Sequence, residues 1–466
     1  MGDHEEVAAL VRQGVALAEA GRTDEAVAAF ERALSLAPRD ARLHWMIGTV
    51  LRAGGRGAAA RARYEAALMI DPSHPQALGA LADLLAEEAT ALNRQGRGDE
   101  AIAGFERAIG IRPGVAAYHV NHGIALRQAG RLPDSLAAFD RALALAPGDP
   151  LAHWNRALSL LALGRLAEGW RDYEFRLRLP SAPPPIALPA WDGRTACRVL
   201  VRREQGLGDE ILFAGCFPSL RRAADGTHAP TFAIECDARL APLYRRSFPW
   251  ADIRPVRRPG PGEPEPPTAA GDAEAWIAAG SLPGLLYPSV ASFPDRRAYL
   301  AADPVAVGRW RRWLDGLGPG RKAGLCWRSS QAGGARDRRY ARIGDLRPLL
   351  ALPGLRFVSL QLGLDQAERA AASAALHEAP GLDLREDIAG VAALVAALDL
   401  VVTVDSWILS LAGALGVDTR FLAAQRDWAT LGTDRMPWLP AVRVRFLAPG
   451  DWLGAAQRLA AELGHE

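Results

Sequence analysis

The sequence predicts an all-helical repeat array over residues 1–180, followed by an α/β region built on two parallel sheets. Three observations carry this expectation. Prolines recur at Pro38, Pro72, Pro113 and Pro147, spaced 34, 41 and 34 residues apart. Beyond a proline-dense stretch, Leu179 to Pro189, short β-branched and aliphatic runs alternate with helical patterns. Several of those runs end in Gly- or Ser-bearing turns that open a helix, as βα units do.

The repeat is more than its prolines. Eight residues before each stands an aromatic, Phe30, Tyr64, Phe105 and Phe139; five before, Ala33, Ala67, Ala108 and Ala142; seventeen before, Gly21, Gly55, Gly96 and Gly130. Glycine ends the first helix of a pair, small residues let helices approach, and the aromatic fills the groove between pairs. This order resembles the tetratricopeptide repeat (TPR). The single 41-residue spacing implies seven extra helical residues within Leu84 to Gly96. A fifth, degenerate unit uses Gly164, Tyr173 and Pro180. TPR arrays form a superhelix whose concave surface takes peptide segments. The candidate groove residues here are Trp45, Asn121, Trp154 and Asn155, with His44 and His153 beside them; packing is the competing role for Trp45 and Trp154.

Bulk properties narrow the classes. At 466 residues there is room for about three domains. Net charge is +2, which gives no electrostatic case for nucleic acid. Lys322 is the only lysine. Cys197, Cys216, Cys236 and Cys326 show no CxxC spacing and read as reduced thiols, with no metal site. The acidic start MGDHEEVAAL argues against a signal peptide. No uncharged run reaches the ~18 residues of a membrane span. The expectation is a cytoplasmic protein without a membrane span.

The α/β region divides in two. After a junction over 181–195, the first half (196–302) has strands at Arg198 to Arg202, Thr231 to Glu235 and Ala275 to Ala279. Arg254 to Gly271 reads as a loop. Glu204-Gln205-Gly206-Leu207-Gly208-Asp209 follows the first strand. Its glycines let a ligand approach backbone, and a helix opens at Asp209, where an N-cap is the ordinary role. Ser281 ends the last strand and faces the same crevice as Gln205, Gly206 and Gly208.

The second half (303–466) has strands at Ala323 to Trp327, Arg356 to Leu360, Leu382 to Leu384, Leu400 to Val404 and Thr419 to Leu422. Arg328, Ser329, Gln361, Asp405, Ser406 and Trp407 then fall at carboxyl ends of strands, where ligands of parallel sheets bind. Asp405-Ser406-Trp407 opens a helix whose first N–H groups suit a phosphate, although most such turns bind nothing. The loop with Arg338 and Arg339 offers guanidinium forks for phosphate oxygens; a solvated loop is the bland alternative.

The strings EQGLGDEILFA (204–214), GSLPG (280–284), GLCWR (324–328), VSLQLG (358–363) and DLVVTVDSWILSLAGALG (399–416), with GWRDYEFR (169–176) at the joint, resemble bacterial TPR-fused glycosyltransferases. Those in turn are similar to heptosyltransferases. The resemblance implies a GT-B arrangement of two Rossmann-like domains and an inverting, metal-independent transfer. The donor would be a nucleotide sugar, its CMP, UDP or ADP linkage left open, and no further cofactor is implied. The acceptor would be a protein, flagellin in some members of the class. It assigns Asp209 as general base, Asp405-Ser406-Trp407 to the donor phosphates, Arg328 to charge on the departing nucleotide, and Gln361 to base or ribose. One departure stands out: where the family carries His in its last string, this chain has Ser410, which neither titrates near neutrality nor supplies a cation. Two other readings stay open: a non-catalytic TPR adaptor with a degenerate GT-B part, and transfer to lipid or polysaccharide.

Overall fold

The computed structural model describes residues 3–223, 229–258, 263, 270–329, 339–372, 375–448 and 450–465. They form two compact units, Met1–Ala152 and His153–Glu466.

The first unit is a series of antiparallel helix pairs: α1 (Asp3–Glu19) with α2 (Thr23–Leu36), α3 (Ala41–Ala53) with α4 (Gly57–Ile70), α5 (Pro75–Arg94) with α6 (Gly98–Ile111), and α7 (Ala116–Gln128) with α8 (Leu132–Leu145). The positions singled out by spacing form its interior. Phe30, Tyr64, Phe105 and Phe139 are at most 1% exposed, and Ala33, Ala67, Ala108 and Ala142 are fully buried. Phe30, Tyr64 and Phe139 each lie against a glycine sixteen positions earlier, Gly14, Gly48 and Gly123. A Cβ built at Gly48 would stand 2.6 Å from the Tyr64 ring, and one at Gly123 2.6 Å from Phe139. Gly21, Gly55, Gly96 and Gly130 end their helices at φ between 73° and 79°, a left-handed turn that glycine adopts without steric cost. The 41-residue spacing resolves as expected: α5 has 20 residues where α3 and α7 have 13.

The second unit takes in, from His153 on, the fifth pair, α9 (Pro150–Ala162) and α10 (Leu166–Tyr173). It belongs there because it packs on the α/β part. Trp170 lies against Gly284, and the Gly164 and Gly432 backbones meet so closely that a Cβ at Gly432 would be 2.6 Å from the Gly164 nitrogen. The proline-rich junction ends in sheet-like pairing, the Trp191 N–H donating to the Trp276 carbonyl at 2.8 Å.

Two all-parallel sheets follow. The first contains β1 (Arg198–Arg202), β2 (Thr231–Asp237), β3 (Asp252–Val256) and β4 (Ala275–Ala278), in the order β3-β2-β1-β4. The second contains β5 (Arg321–Cys326), β6 (Leu355–Ser359), β7 (Leu376–His377), β8 (Leu400–Thr403), β9 (Thr419–Ala423) and β10 (Val442–Phe446), in the order β10-β9-β8-β5-β6-β7. Counted within each sheet, the orders are 3-2-1-4 and 6-5-4-1-2-3, the doubly wound arrangement. Its crevices open where chain direction across the sheet reverses, between β1 and β4 and between β5 and β8.

Helices α11 (Leu207–Phe213), α12 (Phe217–Ala223), α13 (Ala241–Ser247) and α14 (Leu282–Leu286) accompany the first sheet. Helices α15 (Pro304–Asp315), α16 (Arg347–Leu350), α17 (Gln366–Ala372), α18 (Ile388–Ala397), α19 (Trp407–Ala414) and α20 (Trp452–His465) accompany the second. A single apolar core runs from Trp170 and Tyr173 through Val201 and Phe213 to Leu394 and Leu411, joining the fifth pair and both sheets. The other face of the second sheet is closed by Trp452 and Leu459 against Leu325 and Phe357.

Some expectations need correction. Leu382 to Leu384 is a turn in which Asp383 caps the N–H groups of Arg385 and Glu386, and the edge strand lies earlier, at β7. The loop read from Arg254 to Gly271 begins inside β3, where Pro255 is tolerated because β3 is an edge strand. Strand β10 was hidden by its arginines: Arg443 is exposed while its neighbours Val442 and Val444 are buried.

Candidate functional site

The carboxyl edges of both sheets bring three aspartates to one region. Helix α11 starts at Leu207, so Asp209 sits three residues inside it rather than capping it. Its Oδ2 accepts from the Gly206 N–H at 3.2 Å, closing the first turn. The side chain is part-buried, and burial pushes its pKa up to about 6, with the charges of Asp405, Glu204 and Asp427 adding to the rise and the Gly206 amide opposing it. Asp427, in the turn after β9, accepts from the Ala429 N–H at 3.0 Å; burial and the charge of Asp405 raise it as well, against the pull of Arg339. Asp405 pairs with Arg339 at 3.4 Å. A carboxyl group that is half ionised near pH 6 is well matched to proton transfer at neutral pH.

Helices α11 and α19 meet at a glycine. A Cβ at Gly208 would stand 3.3 Å from the Trp407 Cα and 3.5 Å from the Ser410 hydroxyl. Ser410 is thus a packing residue, 9% exposed, on the face of α19 that α11 covers. Ser406 begins α19 with its hydroxyl 3.1 Å from that of Thr403, and Cys326 Sγ donates to it at 3.6 Å. Trp407 and Ser329 are part-buried. Arg338 lies outside the described residues.

Other expected site residues are committed elsewhere. Arg328 donates to Glu368 through Nε at 2.8 Å and Nη2 at 2.7 Å, and to the Gly363 carbonyl at 2.8 Å; its charge holds Glu368 down at about 2. Arg328, expected to meet a departing nucleotide, has its fork on α17 in this structure. Gln361, expected at the base or ribose, is also engaged by the protein itself. It is 1% exposed, its Oε1 accepts from the Trp327 and Arg328 N–H groups at 3.1 and 3.0 Å, and it clamps the turn after β5. Ser281 accepts from Arg176 at 2.9 Å and donates to Glu174 at 2.9 Å, so it belongs to a joint rather than to an open crevice. Among the groove candidates, Asn155 is 2% exposed and cannot line a groove. Trp154 is part-buried against the core, Trp45 packs 6.2 Å from His74, and Asn121 is part-buried.

Sequence reasoning missed Asp427, Glu204 and Tyr173 as members of this region. Asp427 had a legible signal, since it follows a strand of the same parallel sheet. Among the described residues no group of three or more His, Cys, Asp or Glu side chains is arranged to hold a metal ion, and no helix is long and apolar enough to cross a membrane.

Tetratricopeptide-repeat profiles match residues 17–84 and 120–173. The N-terminal helices are tetratricopeptide repeats. Protein FlbA of Caulobacter vibrioides is 35% identical over 289 residues, a match covering 59% of this chain and 48% of that protein. The chain thus spans about half the length of this curated relative. Among solved structures, MamA AMB-1 is 20% identical and matches 38% of this chain and 93% of its own, with a TM-score of 0.31. YrrB, described as a TPR protein with an unusual peptide-binding site, is 16% identical over 36% of this chain and 84% of its own, with a TM-score of 0.29.

Proposed function

We propose that this chain is a glycosyltransferase of GT-B arrangement that moves a sugar from a nucleotide-sugar donor to a protein recruited by the TPR array, flagellin being the first acceptor to try. The observation that carries the reading is Asp209, a carboxyl group whose pKa is raised to about 6, beside the paired ends of α11 and α19. In the step, the acceptor oxygen bonds to the anomeric carbon as the bond from that carbon to the donor phosphate breaks. The electron pair leaves with the nucleotide, and the hydroxyl proton passes to Asp209. Asp427 and Asp405 keep that base from ionising too readily. Arg339 and the first amides of α19 supply what positive field the donor phosphates meet. The test is intact-protein mass of flagellin incubated with CMP-, UDP- and ADP-linked sugars. Transfer by the native chain that stops in Asp209→Asn supports the proposal; transfer undiminished by that substitution refutes the assigned base.

A second reading, a TPR adaptor whose α/β part no longer catalyses, has its own support. Arg328 is neutralised by Glu368, Gln361 is buried, and Ser410 stands under α11 where the resembling family has His. It predicts no turnover with any donor. Titration calorimetry with UDP, CMP, ADP and GDP separates nucleotide binding without turnover from no binding at all.

A further inference from the structure

The loop that carries Asp209 is fastened to the last TPR helix pair at two points. Tyr173, the final residue of α10, is 1% exposed, with its ring edge-on to Trp170 at 5.5 Å and stacked on Trp428 at 6.2 Å. Its hydroxyl accepts from Gln205 Nε2 at 2.6 Å. Three residues on, Arg176 lies with its guanidinium 4.5 Å from the Tyr173 ring centre and donates twice to Glu204, at 2.8 and 2.6 Å. Glu204 in turn accepts from the Gly280 N–H at 2.6 Å, so the first-sheet crevice and the helical joint share one buried ion pair.

Between these anchors Gln205 has φ of 63°, a left-handed conformation that a non-glycine residue keeps only when its surroundings hold it. Its carbonyl is gripped from the other side by Arg258 at 3.2 Å. The next residue is Gly206, whose N–H holds the Asp209 carboxylate. The backbone between the tether and the base is thus only a few bonds long.

We propose that Tyr173 and Arg176 are positioning residues: the fifth TPR helix pair holds Gln205 in its left-handed turn and so sets where the Asp209 carboxylate sits. The tether stands on its own geometry, and only the use made of Asp209 rests on the transferase reading. It makes the end of the repeat array and the crevice loop one mechanical piece.

The test compares the full chain with Tyr173→Phe and Gln205→Ala. The first keeps the ring packing and loses the hydroxyl; the second removes the exposed side chain that donates to it. Amide hydrogen exchange is followed by mass spectrometry, and the pH profile of transfer is measured where transfer is found. Both variants should exchange about fivefold faster at residues 205–209, the factor one hydrogen bond supports. The acid limb of the profile should move to lower pH as water reaches Asp209. Loop exchange within about twofold of the native chain in both variants overturns the proposal. Faster exchange spread evenly over 153–179 also overturns it, because Tyr173 then only packs. Faster loop exchange in a chain that transfers nothing keeps the tether and removes the transferase reading.

Discussion

Replacing Asp209 by Asn should stabilise the second unit at pH 8 and do so far less at pH 4. In the folded chain the carboxyl is raised from 3.8 to about 6. Its charged form is therefore worse off folded than unfolded. Well below pH 3.8 it is neutral in both states and costs nothing; the cost grows from there through the window up to pH ~6 and is complete above it. The rise is about two pH units, each worth about 1.4 kcal/mol, so the ceiling is near 3 kcal/mol. Water reaches part of the group, and that screening reduces the expected gain on substitution to about 1–2 kcal/mol. The amide oxygen of the replacement can still accept from the Gly206 N–H, so the turn survives. Urea titrations at half-unit pH steps, followed by tryptophan fluorescence, measure this. All 13 tryptophans except Trp45 lie beyond residue 152, so the signal reports the second unit. A substitution effect equal at pH 4 and pH 8 would refute the reasoning, because the carboxyl would then not be strained by its charge.

Other consequences can be checked alongside. Gly123→Val drives a side chain into Phe139 and should cost the first unit about 1–3 kcal/mol, read as a lowered melting temperature. Arg176→Met leaves Glu204 buried without its partner and should cost about 3–5 kcal/mol in urea unfolding, part of which returns when Glu204→Gln is added. Ser410→His, which would restore the resembling family's residue, should lower stability by about 1–3 kcal/mol, because α11 occupies the space an imidazole needs. Recovery of a stable chain with new activity would show that the helices separate readily.

The helical half was legible almost residue by residue. Its interior is local: an aromatic and its small partner lie sixteen positions apart in one chain segment, so spacing along the sequence is spacing in the structure. Much of the α/β half was legible for a related reason, since strands buried on both faces, such as Leu400 to Thr403, leave continuous apolar runs. Edge strands did not. β10 alternates arginine with valine, and β3 contains a proline, so neither carries that signature. The site was legible only where position alone decides it. Asp209 and Asp405 follow strands at the two reversal points, and periodicity places them there. Whether a side chain is free is another matter. Arg328 and Gln361 sit at correctly expected edges, yet Glu368 and two backbone amides claim them, and such partners lie 33 to 40 residues away in sequence. Ser410 was weighed as missing chemistry, whereas the structure gives it a steric duty beneath Gly208.

The two additional turns of α5 have a bearing on how the array would meet an extended partner. Seven residues add about 10 Å of helix to one member of an otherwise regular series. A uniform repeat would offer the same seat several times over, and a bound segment could slip from one to the next at little cost. The longer helix breaks that uniformity: one of the four pairs offers a surface that the other three do not repeat.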